Sequence, residues 1–366
     1  MVQFWKKAAV LTAAGVLAAM SVTGCSGSID TDAVVATVGD EDITLGVANF
    51  YARMMQGQYE TYYAGMMGTT AEEMWSQDAG DGKTYEESMK DSILENLENL
   101  YVISQHAADY EVSLTEDEQK AIEDAAAKFS EDNTDDAKEI VSGYQKHIEK
   151  FLELSTIQNK MDSKMREGVD EEVSDEEAAQ KSMQYVYFSY TTTDDTGNST
   201  ELTDEEKENL KTSAQSLADR VKNGEDLETV AGELGVEVQT ATFDSESTTP
   251  NENLVTAADA LAAEGDVTDV VETDSGLYVA KLTSLLDREA TDQEKTNIIE
   301  QRKQDQYDSL LEEWRDASDI KVNEKVWKKV DFDDTGVTII TSQEETSGDG
   351  ATDGAAAEDG SADTAE

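Results

Sequence analysis

The sequence predicts an α+β protein: a mainly helical domain, an inserted small unit of βααβαββ order, and a returning C-terminal helix. Three observations predict this class. Proline occurs once in 366 residues, so long uninterrupted helices are permitted almost everywhere. Apolar residues follow helical spacing over 83–166. Between 183 and 282, helical spacing alternates with short aromatic and β-branched runs, which are typical of strands.

Residues 1–24 have the layout of a secretory signal peptide. Two lysines precede a short apolar stretch that ends at Met20 and is too short for a membrane-spanning helix. The next residues, Val22-Thr23-Gly24-Cys25, resemble the lipobox of bacterial lipoproteins, and Cys25 is the only cysteine in the chain. We therefore expect cleavage before Cys25 and an extracytoplasmic protein anchored to the cell membrane by lipid on that residue. The alternative is an ordinary signal with a chance cysteine.

The chain is strongly acidic, with a formal net charge of −54 that becomes −56 when residues 1–24 are removed. Nucleic acid is excluded as a partner, because binding it requires basic groups that neutralise phosphate. The two histidines, His106 and His147, form no Cys/His cluster, so we expect no metal and no cofactor, and we place both on helix surfaces. Residues 341–366 contain no apolar side chain larger than Ala and predict a disordered acidic tail.

The mature chain is predicted to begin with a polar tether at 25–32, followed by an N-terminal helical domain at 33–178. Two short strands flank the turn at Gly39-Asp40, and Thr44 is placed to cap the first helix. The amphipathic pattern then predicts three or four helices.

Two capping signals predict where helices start in this region. One helix is predicted to start at the capping box that runs from Thr115 to Glu118. Another is predicted to begin at Ser174, shortly before the period changes to that of a strand.

The inserted α+β unit is predicted at 179–288, and the returning helix, with Trp314 on its apolar face, at 289–332. Within the insert we expect, in order, a strand at 183–190, helices ending near 224 and 234, a strand at 236–243, a short helix at 257–263, and strands at 267–272 and 277–282.

This organisation resembles the PrsA/SurA class of extracytoplasmic foldases, in which the inserted domain is a parvulin (PpiC-type) peptidyl-prolyl isomerase. The resemblance implies a SurA-N-like helical domain and a membrane-anchored chaperone or foldase whose partners are unfolded or partly folded secreted proteins. Three stretches carry it: the opening strand pair at 35–44, the Gly-Glu-Asp-Leu helix start at 224–231, and the terminal helix, turn and strand pair at 260–282.

The resemblance also implies where a catalytic site would lie. Parvulin sites usually carry a histidine in the first strand and another in the last, and here those slots are Tyr185 and Tyr278. Two tyrosine hydroxyls can supply hydrogen bonds in place of imidazoles, or the rings are core aromatics of a domain that has lost its catalytic set. Both interpretations stay open at this point. The remaining candidates are a hydroxyl at Thr273 and substrate-binding side chains at Phe243, Leu254 and Val255.

A Met- and Tyr-rich segment is the candidate client surface of the helical domain, because an unbranched thioether repacks against varied partners. Met66 and Met67 are the substrate-binding candidates there, and a Met-rich core is the alternative. The rival function is a non-enzymatic surface lipoprotein, either a solute-binding protein or an interaction module. A solute-binding protein of this size should show two repeated βα lobes, which the sequence lacks.

Overall fold

The computed structural model describes residues 19–24, 29–63, 66, 68, 70–80, 82–193, 197–333 and 335–340. Cys25, Met67 and the predicted tail at 341–366 lie outside these residues. The chain divides into two compact units, the first formed by Met1–Glu167 with Gln306–Glu366 and the second by Gly168–Asp305. Among the described residues, no helix combines the length and apolar character needed to cross a bilayer.

The secondary structure mixes both classes, as the sequence predicts. The strands are β1 Met20–Gly24, β2 Val34–Val38, β3 Glu41–Thr44, β4 Asp78–Gly80, β5 Lys83–Thr84, β6 Lys181–Ser189, β7 Thr191–Thr193, β8 Ser199–Glu201, β9 Val238–Phe243, β10 Val271–Thr273, β11 Gly276–Ser284, β12 Ile320–Val322 and β13 Thr335–Ile339.

The described helices are distributed over both units. They are α1 Leu45–Gln58, α2 Ala71–Ser76, α3 Tyr85–His106, α4 Glu116–Asp132, α5 Asp135–Val141, α6 Gln145–Met165, α7 Asp204–Lys222, α8 Leu227–Leu234, α9 Glu252–Asp259, α10 Arg288–Ala317 and α11 Glu324–Trp327, with a π-helical turn at Tyr59–Tyr63 after α1.

The first unit is built on a three-stranded antiparallel sheet of order β12-β2-β3. The turn between β2 and β3 places Gly39 at a φ of 58°, a conformation that glycine adopts without strain. Helices α1, α3 and α6 pack on this sheet and on each other through a large apolar cluster that includes Ile43, Leu97 and Met161. Helix α4 starts at the predicted capping box, in which Thr115 and Glu118 satisfy each other's backbone N–H groups.

The returning helix α10 brings Trp314 into the core of the first unit. Its ring stacks on His106 of α3, with the ring centroids 4.3 Å apart and the planes 12° from parallel. Arg315 donates to the carboxylate of Glu98 at 2.9 Å. Residues more than two hundred positions apart therefore share one core, as the predicted returning helix requires.

The second unit contains a four-stranded antiparallel sheet of order β10-β11-β6-β9. Side chains alternate along β6, so Val186 and Phe188 face one cluster with α7 and α8. Met183 and Tyr185 face the other cluster, against α9. The observed order along the chain contains the predicted βααβαββ run, with an added hairpin, β7–β8, between β6 and α7.

Three local predictions in the second unit are corrected by the structure, one of them the strand predicted at 267–272, which forms only at Val271–Thr273. No helix forms at Ser174; the segment makes a single turn, and the N–H of Gln180 is taken by the Thr291 hydroxyl at 3.1 Å before β6 begins. The short helix predicted at 257–263 is α9, shifted towards the N-terminus. Asn251 caps it by accepting from two backbone N–H groups, a start that the apolar pattern does not mark.

The expectation that both histidines lie on the surface is wrong for His147. Its side chain is buried between α6 and α1, where Gly46 leaves room for the ring. Burial lowers the pKa of His147 to about 4, so the imidazole is neutral at physiological pH.

Strand β1 is an unexpected element, since it lies within the predicted signal peptide. It pairs with β13 in antiparallel register, Met20 opposite Ile339 and Gly24 opposite Thr335. The two partners are more than 300 residues apart in the sequence, and local patterns carry no information on such pairing.

Candidate functional site

A group of three tyrosines lies on the α9 side of the second unit's sheet. Tyr185 and Tyr187 project from β6 to the same face because they are two residues apart, and Tyr278 projects from the neighbouring strand β11. The ring of Tyr278 stacks on Tyr187 with centroids 4.5 Å apart, and it lies 6.2 Å from the ring of Tyr185. The structure therefore brings the two predicted histidine slots together and adds Tyr187, which the alternation of β6 could have indicated.

The three hydroxyls have different hydrogen-bond environments. Tyr185 donates to Gln239 Oε1 at 2.5 Å, and Tyr187 donates to the backbone carbonyl of Ser275 at 2.6 Å. Among the described residues, the Tyr278 hydroxyl has no hydrogen-bond partner. Burial raises the pKa of both Tyr185 and Tyr278 above its usual value, so both phenols stay protonated at neutral pH. Tyr278 is thus a neutral donor available to a substrate peptide group.

The predicted substrate-binding side chains of the second unit lie beneath these rings. Phe243, Leu254 and Val255 belong to the same apolar cluster as Tyr185 and Tyr278, and each is almost fully buried. They supply the low-dielectric floor on which the tyrosine rings rest. A proline ring would therefore have to contact this floor through movement of the tyrosines above it.

Thr273 is held in the hairpin that joins β10 to β11. Its hydroxyl donates to the Gly276 carbonyl at 2.8 Å and accepts from the Gly276 N–H at 3.2 Å. It also lines an open cleft of about 460 Å³ whose lining is polar and includes two acids: Asn251, Asn253, Glu272, Thr273, Asp274 and Ser275. The structure thus shows Thr273 as a turn-closing hydroxyl beside a polar cleft.

The Met- and Tyr-rich segment of the first unit divides between core and surface. Met74 and Trp75 are buried, and the Trp75 indole donates to Glu60 at 2.8 Å. The surface part is formed by Tyr62, Tyr63 and Met66, whose side chains are 52%, 49% and 82% exposed. We call these three residues the exposed Tyr–Met patch.

A group of carboxylates is the one candidate ligand set for a cation found within the described residues. Atoms of Glu86, Asp331 and Asp333 lie within 4.8 Å of one another. Lys90 Nζ lies 3.3 Å from Glu86 and supplies positive charge to the group, and burial raises the pKa of Glu86. The Lys90 ammonium group therefore offsets part of the negative charge of these acids.

Comparison with known proteins finds a family similarity for part of the second unit. Residues 193–284 match the family model described as Rotamase: PPIC-type PPIASE domain. This stretch is similar to PPIC-type rotamase domains, and we call it the rotamase domain. The predicted relationship to that family is confirmed for these residues. The matched part of the rotamase domain includes Phe243, Thr273 and Tyr278, whereas Tyr185 on β6 precedes it.

Solved structures of foldases and chaperones are also similar to the chain. The foldase protein PrsA of Streptococcus pneumoniae matches 71% of this chain and 99% of its own, at 19% identity and a TM-score of 0.30. A SurA-like chaperone of Campylobacter jejuni matches 80% and 99%, at 12% identity and a TM-score of 0.27.

PrsA of Bacillus subtilis matches 70% of this chain and 92% of its own, at 18% identity and a TM-score of 0.21. No protein of the curated set matches. Of these comparisons, the match of residues 193–284 to the rotamase family model bears most directly on function.

Proposed function

We propose that this protein is a membrane-anchored extracytoplasmic chaperone that assists the folding of secreted proteins, and that its rotamase domain acts on the same clients. The observation that carries the proposal is the PPIC-type domain at 193–284, because its chemistry concerns the peptide bond before proline in unfolded chain.

The exposed Tyr–Met patch supports client binding by the first unit. Large apolar side chains on a surface mark interaction sites, and Met adapts to varied partners. Tyr62 and Tyr63 of the patch lie at the end of the π-helical turn, and Tyr59 at the start of that turn packs against Tyr63 and Trp75. A buried aromatic support of this kind holds the patch in place while its tips reach solvent.

The rival role of a two-lobed solute-binding protein is disfavoured by the strand pairing. Every strand pair within the described residues is antiparallel. The repeated βα lobes of such a protein would instead form parallel sheets with helices on both faces.

Aggregation of a reduced, unfolded secretory protein tests the chaperone role. The mature chain without its lipidated cysteine, which begins at Ser26, should suppress light scattering, and its triple variant Tyr62→Ser, Tyr63→Ser, Met66→Ser should suppress light scattering several-fold less. Tyr144→Ser is the matched control, because Tyr144 is 43% exposed elsewhere in the same unit. No suppression by the mature chain at several-fold excess would refute the proposal.

The membrane anchor is a separate part of the proposal. A peptidase would hydrolyse the Gly24–Cys25 bond, and the lipid on Cys25 would hold the protein at the outer face of the cell membrane. Labelled fatty acid should enter the wild-type protein and not the Cys25→Ser variant. Equal labelling of both would show that the lipid, if any, lies elsewhere.

Prolyl isomerisation makes and breaks no covalent bond. The enzyme has to lower a rotational barrier of roughly 20 kcal/mol that arises from amide resonance. An apolar floor favours the twisted amide, because loss of resonance makes it less polar than the planar form, and a neutral hydroxyl above the floor can donate to the nitrogen lone pair that twisting frees. The cluster around Tyr278 has this composition. A proline-peptide assay on the full mature chain that matches the uncatalysed rate would remove the enzymatic part and leave the chaperone part standing.

A further inference from the structure

Strand β13 is held along one edge by side chains of the first unit. The Val337 N–H donates to Glu60 Oε2 at 2.7 Å, and the Ile339 N–H donates to Thr61 Oγ1 at 2.9 Å. Backbone groups alternate in direction along a strand, so the groups between these two point to the opposite edge. That edge is where β1 pairs, and the Ile340 N–H donates there to the Ala19 carbonyl at 2.8 Å.

The side chains of β1 alternate between core and solvent. Met20 is buried and Val22 half-buried on an apolar cluster that includes Phe129 and Ile339, whereas Ser21 and Thr23 are exposed. At the end of the strand, the Met20 N–H donates to the buried Asn133 side chain at 2.8 Å. The site thus recognises an extended backbone that carries two apolar side chains at positions two residues apart.

We propose that cleavage before Cys25 removes β1 and opens this edge of β13 to an extended segment of a client protein. The segment takes the place of residues 20–24, antiparallel to β13, with apolar side chains at alternate positions and little restriction on those between. This inference rests on the proposed export and on the proposed chaperone function. It adds a binding site in the first unit, distinct from the exposed Tyr–Met patch and from the rotamase domain.

Two features favour a client strand over a second copy of this chain. Backbone pairing and the Asn133 oxygen recognise any peptide backbone, which suits a binder of many unfolded sequences. A second copy offering its own β13 would bring no apolar side chain for the space that Met20 leaves, because its Val337 and Ile339 are buried in its own cluster. The client strand fills that space.

A labelled peptide with the sequence of residues 19–24 tests the site by fluorescence anisotropy. The mature chain from Ser26 should bind it saturably. The full-length chain made uncleavable by Cys25→Ala should bind at least tenfold more weakly, because its own strand occupies the edge. Equal binding by both chains, or none by the mature chain, would overturn the proposal.

Variants of β13 and of the peptide separate strand pairing from charge and from misfolding. The Thr338 side chain is exposed, and its N–H points to the edge of β13 on which β1 pairs. Thr338→Pro removes this N–H and should weaken peptide binding at least tenfold, whereas Thr338→Val keeps the N–H and should bind the peptide normally. Thermal unfolding checks that both variants are folded. Independently, a peptide with lysine in place of Ser21 and Thr23 should compete, and one with lysine in place of Met20 and Val22 should not. Equal competition by both peptides would mean that charge alone governs binding and would refute the site.

Sedimentation and the aggregation assay complete the test. A mature-chain dimer that Thr338→Pro dissociates would assign the edge to a second copy and overturn the client assignment. Unchanged suppression of aggregation by Thr338→Pro, with peptide binding lost, would refute this site as a client site and leave the chaperone function intact. Peptide binding without any suppression by the mature chain would refute the chaperone function instead.

Discussion

Tyr278 is the residue on which the enzymatic proposal depends, since its protonated hydroxyl lacks a partner within the described residues and projects from the last strand of the rotamase domain. Tyr278→Phe removes only this hydroxyl and should lower kcat/KM for a proline peptide roughly 100-fold, the loss typical of one positioned donor. Tyr190→Phe is the control, because Tyr190 lies in the cluster on the other face of the sheet. An unchanged rate in Tyr278→Phe would assign Tyr278 to the core alone.

The same site predicts the pH dependence of isomerisation. Burial raises the pKa of Tyr278 above that of a free phenol, so the hydroxyl does not titrate between pH 6 and 9. The rate should therefore be level across this range. A site that uses histidine would titrate within it, and such a profile would contradict the tyrosine assignment.

His147 predicts how stability responds to acid. Burial lowers its pKa to about 4 in the folded chain, below the value near 6.5 expected when it is unfolded. The unfolded state then binds more protons, so the free energy of unfolding contributed by His147 falls as pH drops from about 6.5 to about 4. His147→Gln should flatten that part of the Tm-versus-pH curve. Parallel curves for variant and wild type would exclude this contribution.

At the scale of elements, α1 and α6 approach closely at one glycine. A Cβ atom on Gly46 would lie 2.0 Å from the His147 ring, so Gly46→Ala should lower the free energy of unfolding by about 2 kcal/mol. Gly232→Ala in α8 is the control, because open space surrounds that position and alanine should be neutral or stabilising there. Denaturant unfolding that shows equal effects for the two variants would contradict the packing described.

Much of the element pattern is predictable because its causes are local. Residues only a few positions apart determine the capping box at Thr115 and Glu118 and the alternation along β6. The helix predicted at Ser174 does not form; after a single turn the Gln180 N–H donates to the distant Thr291 hydroxyl, a contact that local patterns do not reveal. Strand β1 was missed for the same reason, since only its pairing with β13 makes it a strand.

The candidate site divides in the same way. Alternation along β6 and the family resemblance are enough to place Tyr185 and Tyr278 on one face, and Tyr187 follows from the same alternation. The roles of the hydroxyls are not predictable from spacing. They depend on Gln239 and Ser275, which come from a neighbouring strand and from a turn.

For the whole molecule, the structure joins the two ends of the helical region through Trp314. Trp314→Ala should cost about 3 kcal/mol in the first unit, because it removes a buried ring stacked on His106. Glu313→Ala, on the exposed side of the same helix, should change stability little. Denaturant unfolding of both variants makes the comparison, and an unaffected Trp314→Ala would mean that α10 does not complete this core.

The central claim is that the chain helps secreted proteins to fold outside the cell membrane. Quantitative proteomics of secreted proteins in host cells that lack the chain tests it most directly. We predict that a subset falls several-fold, recovers with the wild-type chain, and recovers far less with the variant Tyr62→Ser, Tyr63→Ser, Met66→Ser. A secreted protein set that is unchanged by loss of the chain would contradict the account.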